Sequence, residues 1–221
     1  MSTDNGDEHG ARRSSFRFDA EDARARAQQA LRKSEFILSR AFGLLREPKK
    51  EWEQIRAEDT TIPNILVGYV APLAAIPPIC GLIGTFVFGY RAAGMVVRPD
   101  VDDAVIGAAV TFLVSVAMVF LLGLLISAVA ENFDADRDEL SAQKVAAYSL
   151  TPTFLSGFFS LWPPLWWLSL FALAAMVYLM YRGLPILMKA PEERAPGYTA
   201  TVTIAIVVSG LVLFALASCA G

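Results

Sequence analysis

The chain has 221 residues, a formal net charge of −3 and a hydrophobic share of 55%. The acidic balance and the lack of a strongly basic face argue against nucleic-acid binding. Globular domains are about 45–50% apolar, so the distribution of the apolar residues matters more than their number. The segment up to Pro63 carries twelve of the nineteen Lys and Arg residues, whereas long stretches beyond it are almost free of charge.

The N-terminal part is predicted to be polar and peripheral. Residues 1–18 are expected to be disordered, because they hold too few apolar side chains to form a core. Asp19 is predicted to cap a helix that begins near Ala20. Residues 19–63 are expected to form amphipathic, interfacial helices on the cytoplasmic side of a membrane.

The first of these helices separates its side chains by type. At about 100° per residue, apolar residues fall on one side and basic residues on the other, namely Ala27, Leu31, Leu38, Ala41, Phe42 and Leu45 against Arg32, Lys33, Arg40 and Arg46. Such a helix lies among lipid headgroups or packs on another protein, and the sequence leaves both open. Pro48 suits the first turn of a second, short helix. Its Trp52 is predicted to anchor at the membrane interface.

Five apolar runs follow, and they predict an all-α, five-span transmembrane bundle over residues 64–221. A membrane-crossing helix needs about 17–25 residues. The runs are Ile65–Tyr90, Ala104–Ala130, Val145–Leu161, Leu165–Tyr181 and Thr199–Ala220. The third and fourth are short and are separated by Trp162 and two prolines, which favours a tight helical hairpin over a single re-entrant segment.

The basic residues that flank the runs predict the orientation. Nine lie on the side of the N-terminal segment, namely Arg46, Lys49, Lys50, Arg56, Arg137, Lys144, Arg182, Lys189 and Arg194, and only Arg91 and Arg98 lie on the other. The positive-inside rule therefore predicts a cytoplasmic N-terminus and an external Gly221. Trp162, Trp166 and Trp167 are then expected in the outer aromatic belt.

The apolar runs contain no Asp, Glu, Lys, Arg or His. Ionisable residues at membrane depth mark proton relays, ion sites and intramembrane catalysts. We therefore expect no enzyme activity, no cofactor and no metal site. Asp134, Asp136 and Asp138 alternate like the opening of a calcium loop, but Glu139 occupies the position where that loop needs Gly. A solvated acidic loop is the favoured interpretation.

Small residues four apart in the second run, such as Gly123 and Ser127, favour close packing between helices. We expect this packing within the chain rather than between copies. A passive channel is the alternative function, with a polar path that would use hydroxyls of Thr111, Ser115, Ser156 and Ser160.

Three stretches carry a family resemblance. The first combines Pro48–Ile55 with Tyr69–Leu73 and Phe88-Gly89, the second runs from Tyr148 through Pro152 to Phe158, and the third joins Tyr181–Met188 to Pro191–Glu193 and Gly197-Tyr198. In this order and spacing they resemble the Yip family, named for its interaction with Ypt/Rab GTPases, and especially its bacterial branch. The resemblance covers about residues 36–217.

The resemblance implies a five-span helical protein with a cytoplasmic N-terminus and no catalysis, and the Ala- and Arg-rich composition suggests a bacterial inner (plasma) membrane. Eukaryotic members bind prenylated small GTPases, but the acidic motif that they use before the first span is not evident here. We therefore expect a membrane scaffold or membrane-organisation factor that contacts lipid and an unidentified protein partner. Whether it forms a homo-oligomer stays open. The candidate interaction residues are Trp52, Tyr148, Pro152, Tyr181, Gly183 and Pro185. Gly183 and Pro185 are predicted to end the fourth helix.

Overall fold

A computed structural model describes residue 28 and residues 31–32, 34–92, 95–97 and 100–220. The predicted tail (1–18) and the helix start at Asp19 lie outside these residues. The chain divides into two compact units, Met1–Arg40 and Ala41–Gly221. In the first unit residues 34–40 are helical. The guanidinium of Arg40 lies 5.1 Å from the centre of the Phe36 ring.

The described part of the second unit is built mainly of helices. Residues 41–46 are helical, and the labelled helices are α1 (Pro48–Ala57), α2 (Ile62–Phe88), α3 (Val101–Val129), α4 (Glu139–Ser149), α5 (Thr151–Leu155), α6 (Ser169–Leu187) and α7 (Ala195–Ala220). Three 3₁₀ segments connect some of them, namely Ala130–Phe133, Ser156–Leu161 and Pro163–Leu168. The prediction of a helical fold is confirmed.

Three helical stretches are long and apolar enough to cross a membrane: Ile62–Phe88, Val101–Phe133 and Pro164–Leu187. They coincide with the first, second and fourth apolar runs. A shorter apolar helix covers Ala195–Leu211 of the fifth run. The third run is divided among the end of α4, α5 and the 3₁₀ segment that follows. Five spans therefore stay a prediction, of which three have the required length.

Local signals explain several helix ends. The hydroxyl of Thr61 accepts a hydrogen bond from the amide of Asn64 at the start of α2, and Gly89, with a φ of 69°, ends the helix. Positive φ favours glycine because it has no Cβ. Pro196 is the second residue of α7, where its missing N–H costs little.

Helix α2 is irregular over its first half. Residues Leu66–Val70 form a π-helical segment, and a turn at Ala75 precedes the final stretch. The extra residue of a π turn shifts which side chains face inward. Here Tyr69 and Val70, although adjacent, are both buried.

A short β-hairpin follows α2, which the all-α prediction did not include. Strand β1 (Tyr90–Ala92) pairs antiparallel with β2 (Met95–Val97), and Tyr90 lies opposite Val97. Each strand has three residues, too few for the alternating pattern that predicts a strand. The hairpin connects α2 with α3.

Helix α4 packs against both α3 and α6. The amide Nε2 of Gln143 donates to the carbonyl of Val119 at 3.2 Å. A Cβ on Gly123 would collide with the Gln143 side chain, whereas Gly107 has nothing near it within 4 Å. The predicted close packing of small residues within the chain is thus confirmed at Gly123 and not at Gly107.

The prediction that Gly183 and Pro185 end the fourth helix is wrong, because α6 continues through both to Leu187. A proline inside a helix removes one hydrogen-bond donor, and here the helix tolerates that loss. The backbone turns only at Met188 and at Lys189, which has a φ of 51°.

Candidate interaction site

Helix α1 lies against α6 through one large side chain. Trp52 has an exposed fraction of 0%, and α1 contacts α6. Gly183 makes this approach feasible, because a Cβ there would stand 2.8 Å from Cε2 and Cζ2 of the Trp52 ring. The prediction that Trp52 anchors in the lipid interface is wrong: its ring is enclosed by protein. Glycine is therefore needed at position 183 to leave room for the Trp52 ring, and not for a special backbone conformation.

Tyr148 and Tyr69 extend this contact into an aromatic cluster. The Trp52 and Tyr148 rings meet edge to face with centres 6.3 Å apart, and the Tyr148 and Tyr69 ring centres are 4.4 Å apart. Thr151 Oγ1 donates to the Tyr148 carbonyl at 2.8 Å. The Tyr69 hydroxyl, 2.8 Å from Thr151 Oγ1, is therefore the donor in that pair. The aromatic cluster (Trp52, Tyr69, Tyr148, Thr151 and Gly183) joins five helices: α1, α2, α4, α5 and α6.

Lys144 caps the C-terminal end of α1. Its ammonium donates to the carbonyls of Ile55 at 2.8 Å and Glu58 at 2.7 Å. A cation at a helix C-terminus satisfies carbonyls that have no partner in the helix and interacts favourably with its dipole. Burial lowers the pKa of the ammonium, and the carboxylates of Asp138 and Asp59 oppose that shift. The sequence placed Lys144 among the flanking basic residues, and nothing in it revealed the capping role.

Ion pairs tie the segment before α4 to the segment after α6. Lys189 Nζ lies 2.6 Å from a carboxylate oxygen of Asp136, and Arg194 lies 3.1 Å from Asp134. The amide of Asp136 also donates to the carbonyl of Met188 at 2.8 Å. The acidic loop is exposed to solvent, as predicted, and two of its carboxylates are also paired.

Asp138, the third alternate acid, caps α4. Its carboxylate accepts hydrogen bonds from the amides of Leu140 and Ser141. Burial acts to raise the pKa of Asp138, but the hydrogen bonds and the nearby Lys144 hold it below 3.8. Among the described residues no group of three acids, cysteines or histidines could hold a metal ion.

The remaining candidate interaction residues, Pro152, Tyr181 and Pro185, are not part of the aromatic cluster. Pro152 is buried in the first turn of α5. Tyr181 and Pro185 line an open cleft beside Lys49 and Arg182. The structure therefore brings Trp52, Tyr148 and Gly183 into contact and places Tyr181 and Pro185 on a neighbouring surface.

The hydroxyls suggested for a channel are turned toward backbone. Thr111 donates to the carbonyl of Gly107, Ser115 to that of Thr111 and Ser156 to that of Thr153. Thr111 is exposed on the surface of α3.

The fold and the aromatic cluster define a helical membrane protein whose short α1 helix docks on the bundle. A Yip1 domain matches residues 42–214, and the chain belongs to this family, as the resemblance predicted. It is 29% identical over 168 residues to "Inner membrane protein YohC" of Escherichia coli K12, which covers 74% of this chain and 86% of that protein. The protein of that name from Escherichia coli O6:H1 matches equally. No solved structure matches.

Proposed function

We propose that this protein is a non-enzymatic membrane scaffold that binds a protein partner at an α1 platform, defined as residues 50–59 together with residues 183–198. The observation that carries the proposal is the packing that holds α1 on the bundle: Trp52 packs on Gly183, and Lys144 caps the helix. The outward side chains of Glu53, Gln54 and Arg56 are exposed. A rigid surface loses little conformational entropy when it binds, and this favours recognition.

The proposed topology is five spans with a cytoplasmic N-terminus in the bacterial inner membrane. Three helical stretches of sufficient length support it, as does the similarity to an inner membrane protein. The excess of Lys and Arg around α1, the segment before α4 and the segment after α6 supports a cytoplasmic platform. Contacts between Lys144 and α1 and between Lys189 and Asp136 fit this common side.

The chemistry of the aromatic cluster favours a structural role over a catalytic one. Lys144 and Thr151 direct their hydrogen bonds to backbone carbonyls. A general base or nucleophile needs a partner that shares or accepts its proton. These two groups instead stabilise helix ends.

Site-specific photo-crosslinking in cells tests the platform. A photoreactive residue at Glu53 or Gln54 should give one discrete adduct with a partner, whereas the same residue at Asp102, exposed at the start of α3, should not. Trp52→Ala should abolish the adduct from Glu53 while the protein stays in the membrane, because α1 loses its seat. Equal adducts from Glu53 and Asp102 would overturn the proposal.

Reporter fusions test the topology separately. Fusions at Arg137 and at Gly221 should report opposite sides of the membrane. Solute flux through vesicles that contain only the purified protein would instead favour the channel.

A further inference from the structure

A cleft of about 200 Å³ opens beside the α1 platform, lined by Lys49, Tyr181, Arg182, Pro185 and Glu192 among others. Lys49 comes from α1 and Arg182 from α6, so two cations from different helices face one space. Neither Lys49 nor Arg182 forms an ion pair with another residue in the described part of the chain. The cleft thus offers positive charge to an anionic group.

An apolar groove of about 560 Å³ adjoins this cleft between α6 and α7. Ligand-binding sites commonly have volumes of about 300–1,000 Å³, so the groove is large enough for part of a ligand. Its walls include Ala174, Tyr178 and Tyr181 on α6 and Thr199, Ala200 and Thr203 on α7. Tyr181 lines both hollows, and the charged cleft is therefore adjacent to the groove.

Three buried polar atoms in this region have no hydrogen-bond partner among the described residues: Arg182 Nε, Thr199 Oγ1 and Thr203 Oγ1. A buried donor without a partner costs about 1–3 kcal/mol. Thr199 and Thr203 are one helical turn apart, about 6 Å along α7. Their spacing along α7 suits a ligand with acceptor oxygens at more than one depth of the groove.

We propose that the cleft and the groove together bind one phospholipid molecule. Its phosphodiester interacts with Arg182 and Lys49, its glycerol esters accept hydrogen bonds from Thr199 and Thr203, and one acyl chain lies in the groove between α6 and α7. Basic pockets between membrane helices hold lipid headgroups elsewhere for the same electrostatic reason. This inference does not depend on the α1 platform having a protein partner.

The balance of charge selects the headgroup. A third hollow shares Lys49 and Arg182 with the cleft and adds Glu47, Lys50 and Glu53. Lys50 pairs with Glu47 at 3.4 Å, which leaves Lys49 and Arg182 between Glu192 in the cleft and Glu53 in the third hollow. Equal numbers of cations and carboxylates match a zwitterion better than a lipid of net negative charge. A primary ammonium can donate to Glu192, whereas a trimethylammonium cannot. The geometry therefore fits phosphatidylethanolamine.

Native mass spectrometry of the full-length protein in mild detergent tests this site. Phosphatidylethanolamine, phosphatidylglycerol and phosphatidylcholine are titrated separately onto delipidated protein. Arg182→Gln should weaken binding of phosphatidylethanolamine about tenfold, since hydrogen bonds to charged groups contribute about 1.5–3 kcal/mol. The matched control is Arg137→Gln, which removes an exposed arginine paired with Glu131 instead and should leave binding unchanged.

The groove is tested by a second pair of variants. Ala200→Phe fills the groove without changing charge and should lower the affinity by a similar factor. Thr201→Phe adds the same ring at the neighbouring exposed position, which does not line the groove, and should not. Circular-dichroism melting establishes that all four variants are folded.

The outcomes decide each part of the assignment. Equal binding by Arg182→Gln and Arg137→Gln, or no effect of Ala200→Phe, would overturn the lipid site. Displacement by glycerophosphoethanolamine as efficient as by the whole lipid would show a headgroup site without an acyl groove and would also overturn it. Tighter binding of phosphatidylglycerol or phosphatidylcholine than of phosphatidylethanolamine would reject the headgroup assignment.

Discussion

Tryptophans occupy opposite environments in two regions of the bundle. At the α1 platform, Trp52 is fully enclosed by α6 and the aromatic cluster. At the junction between α5 and α6, Trp162 and Trp166 expose 61% and 68% of their surface. The same residue type thus joins two helices in one region and faces outward in the other.

The difference shows what decides the role of an amphipathic aromatic residue. Tryptophan is enriched at membrane interfaces, and the exposed pair fits the predicted aromatic belt. Trp52 fails that expectation because Gly183 leaves room for its ring on the facing helix. A glycine about 130 residues away, rather than any local feature, makes Trp52 a packing residue.

The largest expected effect comes from removing the buried ring. Trp52→Ala should lower the free energy of unfolding by about 3–5 kcal/mol, as for other buried aromatic residues. The matched change at the exposed position, Trp166→Ala, should alter it by less than about 0.5 kcal/mol. Denaturant titration in detergent, followed by circular dichroism, measures both. Similar losses for the two variants would remove the distinction between the regions.

The next largest loss in the free energy of unfolding is expected from removing the lysine that caps α1. Lys144→Met keeps most of the length of the side chain but leaves the carbonyls of Ile55 and Glu58 without their cation, so we expect a loss of about 1.5–3 kcal/mol. Lys50→Met removes an exposed lysine that pairs only with Glu47 and should cost about 0–1 kcal/mol. The same titration compares them. An effect of Lys144→Met no greater than that of Lys50→Met would mean that the cap contributes nothing.

The space left by glycine can be filled directly. Gly183→Ala places a methyl group against the Trp52 ring and should destabilise the protein by about 1–3 kcal/mol, a usual cost of overpacking. Gly107→Ala enters open space and should be neutral or stabilising, because alanine favours a helix. Limited proteolysis near residues 58–61 should increase only in the first variant. If Gly183→Ala left the stability unchanged, the Trp52 ring would not be tightly packed against position 183.

The smallest effect concerns the start of α4 and depends on pH. Asp138→Ala should cost about 1 kcal/mol at neutral pH through loss of the cap. Because the pKa of Asp138 is held below 3.8 in the folded state, its contribution is present above pH 3.8 and is lost as pH falls through the folded pKa. The gap between wild type and variant should therefore close in acid. Asp138→Asn keeps a capping oxygen and should lose less; a gap independent of pH would contradict the assignment.

Much of the fold was predictable from long uncharged runs, because the cost of burying charge in lipid constrains composition over whole helices. The ends of helices were less predictable. Pro185 stands inside α6 where a local rule places a boundary, and three-residue strands leave too short a pattern to detect.

The candidate site was predictable in its members but not in its geometry. The family resemblance selected Trp52, Tyr148 and Gly183, which the structure brings together, without indicating that they touch. The capping role of Lys144 was missed because a lysine beside an apolar run is normally interpreted as a charge that flanks a membrane span. Its function depends on carbonyls contributed by a helix that ends 87 residues earlier.

The π-helical segment of α2 has a consequence for how the chain tolerates length changes. Each residue of an α-helix advances about 100° around its axis, so deleting one residue within Leu66–Val70 would restore ordinary winding and swing everything before it by that angle. Tyr69 would lose its ring contact with Tyr148, and the connection from α1 would emerge on another side of the bundle. The extra residue of the π-helical segment thus fixes the rotation of the α1 platform around the helix axis relative to the rest of α2.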